Sequence, residues 1–266
     1  MRRRLDAELV HRSLARSREH ACDLIAAGRV RVNGTTATKA ATQVDAGAPV
    51  LVEDDSDDPG YASRGAHKLA GALAAFEPLG LHIEGRRALD AGASTGGFTD
   101  VLLRHGVREV VAVDVGYGQL VWRLQNDERV LVHDRTNVRD LDLDTIGAPV
   151  NLVVGDLSFI SLKLVLPALV RTATPDADFV LMVKPQFEVG RERLGTGGVV
   201  RDPVLRADAV ADVLTAAAGV GLGARGVTAS PLPGPAGNVE YFVWLHAGAP
   251  PWERAAVERA VEEGPS

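Results

Sequence analysis

The chain has 266 residues, 46% of them hydrophobic and 24% charged, with a formal net charge of −6. That length accommodates one large domain and a small one, and the composition excludes disordered and collagen-like classes. No apolar run of about 18 residues exists to span a membrane, the basic start lacks the apolar segment of a secretory signal, and the single Cys22 excludes a disulfide framework or multi-cysteine metal site.

A cytoplasmic protein is therefore expected, and an acidic one is at first sight a poor partner for nucleic acid. The charge is unevenly spread, however. The first 52 residues carry nine basic and five acidic groups, the stretch Glu53 to Asp58 is almost wholly acidic, and residues 59–266 carry 20 basic against 25 acidic groups. Like charges followed by Pro59-Gly60 read as a linker between a basic module and an acidic body.

Within the basic module, Leu5, Leu9 and Leu14 recur at roughly helical spacing. A second helix is expected from Ser17 to Ala27, with Ala21, Leu24 and Ile25 as its apolar face and Gly28 as its C-cap. Val30-Arg31-Val32 alternates into Asn33-Gly34, a hairpin signal, and Pro49 to Val52 reads as a later strand. In this order Arg4-Leu5-Asp6, Leu14-Ala15-Arg16-Ser17-Arg18, Gly28-Arg29-Val30 and Val32-Asn33-Gly34 closely resemble the S4-type RNA-binding domain. The resemblance covers about residues 1–55 and implies RNA contacts from Arg4, Arg16, Arg18 and Arg29, extended across the linker by Arg64.

In the body, a helix from Lys68 to Phe76 precedes strands at Arg87–Asp90, Val107–Val115, Val130–Val132, Val150–Val154, Asp178–Lys184 and Val239–His246. Helices are expected at Gln119–Asn126, Leu162–Arg171, Pro203–Ala218 and Trp252–Glu262. Alternating strands and helices predict an α/β fold with a doubly wound, mostly parallel sheet, whose ligands sit at the carboxyl ends of the strands. The domain reading is 1–55, a linker at 56–63, a body at 64–250 and a C-terminal helix or tail at 251–266. Gly190 to Gly198 lacks periodicity and is expected to be a mobile loop near the substrate.

The first strand end reads Asp90-Ala91-Gly92-Ala93-Ser94-Thr95-Gly96-Gly97-Phe98. Ser94 stands where a dinucleotide fingerprint has its second glycine, and no Gly-Lys-Ser/Thr follows to make a P-loop. A pyrophosphate is disfavoured beside Asp90, whereas a cationic sulfonium amino acid suits it. The segment resembles the first motif of S-adenosylmethionine-dependent methyltransferases, implying cofactor contacts from Asp90, Gly92, Ser94, Gly96, Gly97 and Phe98. Asp114, about 20 residues beyond the glycine turn, is placed for ribose hydroxyls, and Asp156 follows the fourth strand.

Four polar residues fall at ends expected to converge. Lys68 precedes the first strand, Asp156 and Lys184 each end one, and Glu240 opens the last. A lysine after five apolar strand residues is costly to bury unpaired, so an interior Lys184–Asp156 ion pair is expected on structural grounds alone. Together the four resemble the Lys-Asp-Lys-Glu set of FtsJ-type 2′-O-ribose methyltransferases. With the S4-like module, the whole chain closely resembles the TlyA family of hemolysin-like ribosomal-RNA 2′-O-methyltransferases. That resemblance implies a Rossmann-like class I fold with a seven-stranded sheet, S-adenosylmethionine as cofactor, and methylation of cytidine in ribosomal RNA of one or both subunits. Lys184 would contact the 2′-oxygen, Asp156 would orient it, and Lys68 and Glu240 would complete the network; no metal is required, no membrane is involved, and a monomer is expected. Phe187 and Tyr241 are candidates for stacking on a base or, equally, for core aromatics. A membrane-acting toxin would need an apolar spanning segment, and a non-catalytic RNA-binding protein would not need the four polar residues intact.

Overall fold

A computed structural model describes residues 2–15, 18–53 and 59–265. The chain divides into two compact units, Met1–Arg64 and Gly65–Ser266.

In the first unit the apolar periodicity forms α1 (Leu5–His11) and α2 (Arg18–Ala26), preceded by a strand, β1 (Arg2–Arg4). Leu5, Leu9, Ala21, Leu24 and Ile25 are buried together. The first helix stops earlier than the leucine spacing suggested: Ser13 takes a positive φ of 58°, and Leu14 folds back to Leu9. The expected start of the second helix, at Ser17, lies outside the described residues. β2 (Val30–Val32) turns through Asn33 and Gly34, both at positive φ, into β3 (Thr35–Thr36), as a type I′ hairpin requires. β2 also pairs with β5 (Val50–Val52). A second small sheet, in which β1 pairs antiparallel with β4 (Gln43–Asp45), had no signal in the sequence: three arginines do not look like a strand.

The second unit runs α3 (Gly65–Phe76), β6 (Arg87–Ala91), α4 (Gly97–Arg104), β7 (Glu109–Val113), α5 (Trp122–Gln125), β8 (Val130–His133), α6 (Leu143–Ile146), β9 (Val150–Gly155), α7 (Leu162–Arg171), β10 (Ala173–Val183), α8 (Pro185–Glu188), α9 (Pro203–Gly219), β11 (Gly223–Ala229), β12 (Tyr241–His246) and α10 (Arg254–Glu262). Its seven-stranded sheet has the order β11-β12-β10-β9-β6-β7-β8; only β12 runs against the others. The mostly parallel sheet expected from the alternation is present. β11 was not foreseen, because Gly-Ala-Arg-Gly carries no strand pattern. It forms by pairing with β12, and α9 and α10 pack against it.

The pleat sorts side chains onto two faces. Leu89, Val111, Val153, Leu181 and Val243 join the core built with α7, α9 and α10. Their alternate neighbours face α3 and α4, where Phe76 meets Trp244 and Phe98 meets Phe242. The C-terminal helix is packed rather than frayed, burying Val257 and Val261 in the main core. The Gly190–Gly198 segment is less irregular than expected. It contains short 3₁₀ turns at Arg191–Arg193 and Thr196–Gly198, and Leu194 packs on Val189, Val200 and Ala209. Among the described residues, no helix is long and apolar enough to cross a membrane.

Candidate active site

Register aligns the polar residues. Gly155 pairs with Leu181 and with Ala91, Ala91 pairs with Val113, and Val183 pairs with Tyr241. One residue further on stand Asp114, Gly92 and Asp156, with Lys184 and Glu240 opposite each other two residues beyond the level of Asp156, so the five cluster at one end of the strands. Continuing the pleat past the strand ends puts Asp156, Lys184 and Glu240 on the face of α3 and α4.

Lys184 is 8% exposed. Its Nζ lies 2.6 Å from Asp156 Oδ1 and donates to Ser158 Oγ at 2.8 Å. Lys68, from α3, donates to Glu240 Oε2 at 2.5 Å, and both side chains are buried. Gln186, two residues after Lys184, also donates to Glu240, at 3.4 Å from Oε1. Gly234, in the proline-rich turn before β12, lies so close that a Cβ there would stand 2.6 Å from that same oxygen. The proline-rich turn thus confines Glu240. A buried ion pair costs desolvation on both sides, which Glu240 offsets by accepting from both Lys68 and Gln186, whereas among the described residues Asp156 Oδ1 has only the ion-pair contact with Lys184.

Beside Asp156 opens a cleft of about 470 Å³, within the range of small-molecule sites. It is lined by the loops after successive strands: Gly92 and Ser94, then Asp114, Val115 and Gln119, then Asn137, then Asp156 to Ile160. This is the crevice beside the switch point of the sheet, where the chain order reverses around β6. Gly92 has a φ of +87°, and a Cβ there would meet the Asp156 carbonyl at 3.0 Å, so the two loops approach as only glycine permits. Asp114 accepts from the Ser94 N–H at 2.9 Å and the Gly116 N–H at 2.7 Å, which leaves lone pairs for a ligand. Asp90 does not line the cleft. It is fully buried toward α4, where Thr99 Oγ1 donates to Oδ2 at 2.7 Å; its Oδ1 is without a hydrogen-bond partner. Burial first, then repulsion from Asp156 and Asp114, raises the Asp90 carboxyl to about 7. Two carboxyls, Asp114 and Asp156, line the cleft, and that environment favours a cation.

Of the residues expected at the cofactor, the structure brings Gly92, Ser94, Asp114 and Asp156 to the cleft wall. Gly96, Gly97 and Phe98 are buried instead at the start of α4, with Phe98 packed on Phe242 as a core aromatic. Tyr241 is likewise fully buried in the core, so stacking on a base is closed to it. Phe159, by contrast, is 90% exposed at a φ of 64° and 5.2 Å from the Phe187 ring. Asn137 and Gln119 were missed. Both lie on loops after strands whose ends the topology rule singles out, and that rule was the available signal.

In the basic module, Arg4 and Arg18 are on the surface and bond to Asp6. The partly buried Arg29 donates to the Glu53 carbonyl, and Arg64 ends the first unit. Arg16 lies outside the described residues.

The model of the FtsJ-like methyltransferase family matches residues 61–247. The chain belongs to this family. An S4 domain model matches residues 3–50 of the same chain. This FtsJ-like methyltransferase is 56% identical, over 99% of both chains, to the 16S/23S rRNA (cytidine-2′-O)-methyltransferase TlyA of Mycobacterium tuberculosis. It is 35% identical to the 23S rRNA (cytidine-2′-O)-methyltransferase TlyA of Campylobacter jejuni, over 69% of this chain and 70% of that one. A solved structure from Streptococcus thermophilus that carries a provisional hemolysin name superposes with a TM-score of 0.79 at 35% identity, covering 98% of this chain and 95% of that one.

Proposed function

We propose that this methyltransferase transfers a methyl group from S-adenosylmethionine to the 2′-hydroxyl of a cytidine in ribosomal RNA. The observation that carries this reading is the buried Lys184 ammonium, held by Asp156 and Ser158 at the rim of an acid-lined cleft. Both relatives are named for this reaction on cytidine, one on 16S and 23S rRNA and the other on 23S rRNA.

The cleft fits the cofactor. Its size is right for a nucleoside with an amino-acid tail, Asp114 has lone pairs for ribose hydroxyls, and Asp114 with Asp156 favours a positive ligand. When bound, S-adenosylmethionine supplies an electrophilic methyl group on a cationic sulfur. Gly92 and Ser94, on the cleft wall, would hold it, and Asp156, on that wall beside Lys184, would lie between the cofactor and the lysine.

A ribose hydroxyl is a weak nucleophile at neutral pH. Two of the three N–H donors of Lys184 are directed at Asp156 and Ser158, and the third is available to the 2′-oxygen. As the hydroxyl gives up its proton to water at the rim of the cleft, that ammonium, already in position, stabilises the negative charge developing on oxygen. Lys68 and Glu240, bonded directly and with Gln186 as a second donor to Glu240, keep the neighbouring wall rigid so that oxygen and methyl align. The S4 module adds affinity for the RNA backbone through Arg4, Arg16, Arg18 and Arg29.

The test is tritium transfer from labelled S-adenosylmethionine to separated ribosomal subunits. Lys184→Ala is expected to lower the rate roughly 100- to 1000-fold, the loss typical of removing one donor aimed at developing charge. Cofactor affinity, measured by calorimetry, should be nearly unchanged. Undiminished transfer by the variant would remove Lys184 from the mechanism.

A further inference from the structure

The basic module buries two carboxylates beneath its arginines. Asp6 is 2% exposed, whereas the side chains of Arg4 and Arg18 are 46% and 62% exposed. Arg4 donates through Nε to Asp6 Oδ1 at 3.1 Å and through Nη2 to Oδ2 at 3.0 Å. Arg18, from the second helix, donates through Nη2 to that same Oδ2 at 2.8 Å. The backbone N–H of Ala7 fixes the carboxylate from below, at 2.9 Å from Oδ1. One buried oxygen therefore holds two guanidinium forks side by side, with their remaining N–H groups on the solvent side. These hydrogen bonds also hold the Asp6 carboxyl well below the usual carboxylate range, so it stays charged.

We propose that Asp6 is a positioning residue for RNA: it aligns Arg4 and Arg18 as a preformed clamp for backbone phosphate. The inference rests on the reading of this module as the RNA-binding part. Free arginine side chains lose rotamer freedom when they close on a phosphate. Here that ordering is present before RNA arrives, because the fork geometry that suits a carboxylate also suits a phosphate. The remaining donors are sufficient: each guanidinium has five N–H groups, and Asp6 takes two from Arg4 and one from Arg18.

The sign of one substitution separates this arrangement from simple charge. Asp6→Asn removes a negative charge, so a purely electrostatic surface would bind RNA more tightly. A clamp held by Asp6 would bind more weakly, by roughly three- to tenfold, as expected when one or two long side chains must be ordered on binding. The measurement is filter binding of the full-length protein to a 23S ribosomal RNA transcript over a range of salt. Asp45→Asn removes the same charge from the exposed pair with Arg2 and serves as the comparison; it should not weaken binding. Asp6→Asn introduced on top of Arg4→Gln and Arg18→Gln should cause no further loss, which a general loosening of the module would not reproduce. Asp6→Glu keeps the charge but moves the shared oxygen, and should weaken binding even if Asp6→Asn lowers the melting temperature. Equal or tighter binding by Asp6→Asn and Asp6→Glu overturns the clamp and leaves the RNA reading intact. Unchanged binding by the double arginine variant overturns the RNA reading itself.

Discussion

The two units use ion pairs in opposite ways. In the S4 module the acid is buried and the base is outside: Asp6 and Glu8 are each 2% exposed, beneath Arg3, Arg4 and Arg18. At the strand ends of the methyltransferase body the cation is buried as well, as Lys68 with Glu240 and Lys184 beside the half-buried Asp156. The first arrangement leaves cations exposed at little desolvation cost, as the proposed contact with RNA needs. The second keeps water from one ammonium, as the proposed action on a single oxygen needs. The depth of the cation, more than the number of charges, separates a binding surface from a reacting centre.

Three substitutions sharpen that contrast. The largest effect is expected from Glu240→Gln, which leaves Lys68 buried without a counter-charge. Breaking a buried pair by removing one partner costs about 3–5 kcal/mol, and denaturant melts of the full chain should show a loss of that size. If the midpoint does not move, the pair is better solvated than its burial indicates.

Asp90→Asn comes next and is read as a pH dependence. Between the ordinary value of 3.8 and about 7, the folded chain keeps a proton on Asp90 that the unfolded chain has released. Native stability therefore falls as pH rises through that window, by up to about 1.4 kcal/mol per unit from this group. The asparagine variant should gain on the parent across the window and run parallel to it above. Thermal melts at pH 4, 5.5, 7 and 8 test this, and parallel curves throughout would mean that Asp90 is not titrating there.

The smallest effect belongs to the exposed Arg2–Asp45 pair, whose side chains are 67% and 62% accessible. Arg2→Ala should change stability by less than about 1 kcal/mol, because water and salt screen such pairs. A larger loss would show that the β1–β4 sheet depends on that contact.

Regular local patterns were readable without the fold. Helical leucine spacing in the module, the Asn33-Gly34 hairpin and the strand–helix alternation of the body are properties of short stretches, and each appears close to its expected place. Elements that exist only through partners were silent. β1 is three arginines made into a strand by β4, and β11 is a glycine-containing segment made into one by β12. The same division holds at the site. Lys68, Asp156, Lys184 and Glu240 stand out by type and place in the chain, since polar groups at strand ends need a reason to be there. Phe98, which the resemblance implied as a cofactor contact, and Tyr241, left open between base stacking and the core, are both buried in the core, because an aromatic beside a motif looks alike whether it faces a ligand or the core.

By itself, then, the sequence determined the fold class, the division into a basic module and an acidic body, and the four polar residues, because these follow from composition, periodicity and motif spacing. The tertiary structure decided which partner each charge takes. Asp6 collects arginines from two elements, Lys184 meets Ser158 as well as Asp156, and Lys68 reaches Glu240 across 172 positions. Such pairings depend on strand register and on which face of the pleat a side chain occupies, and a change of one residue in register would reverse the face.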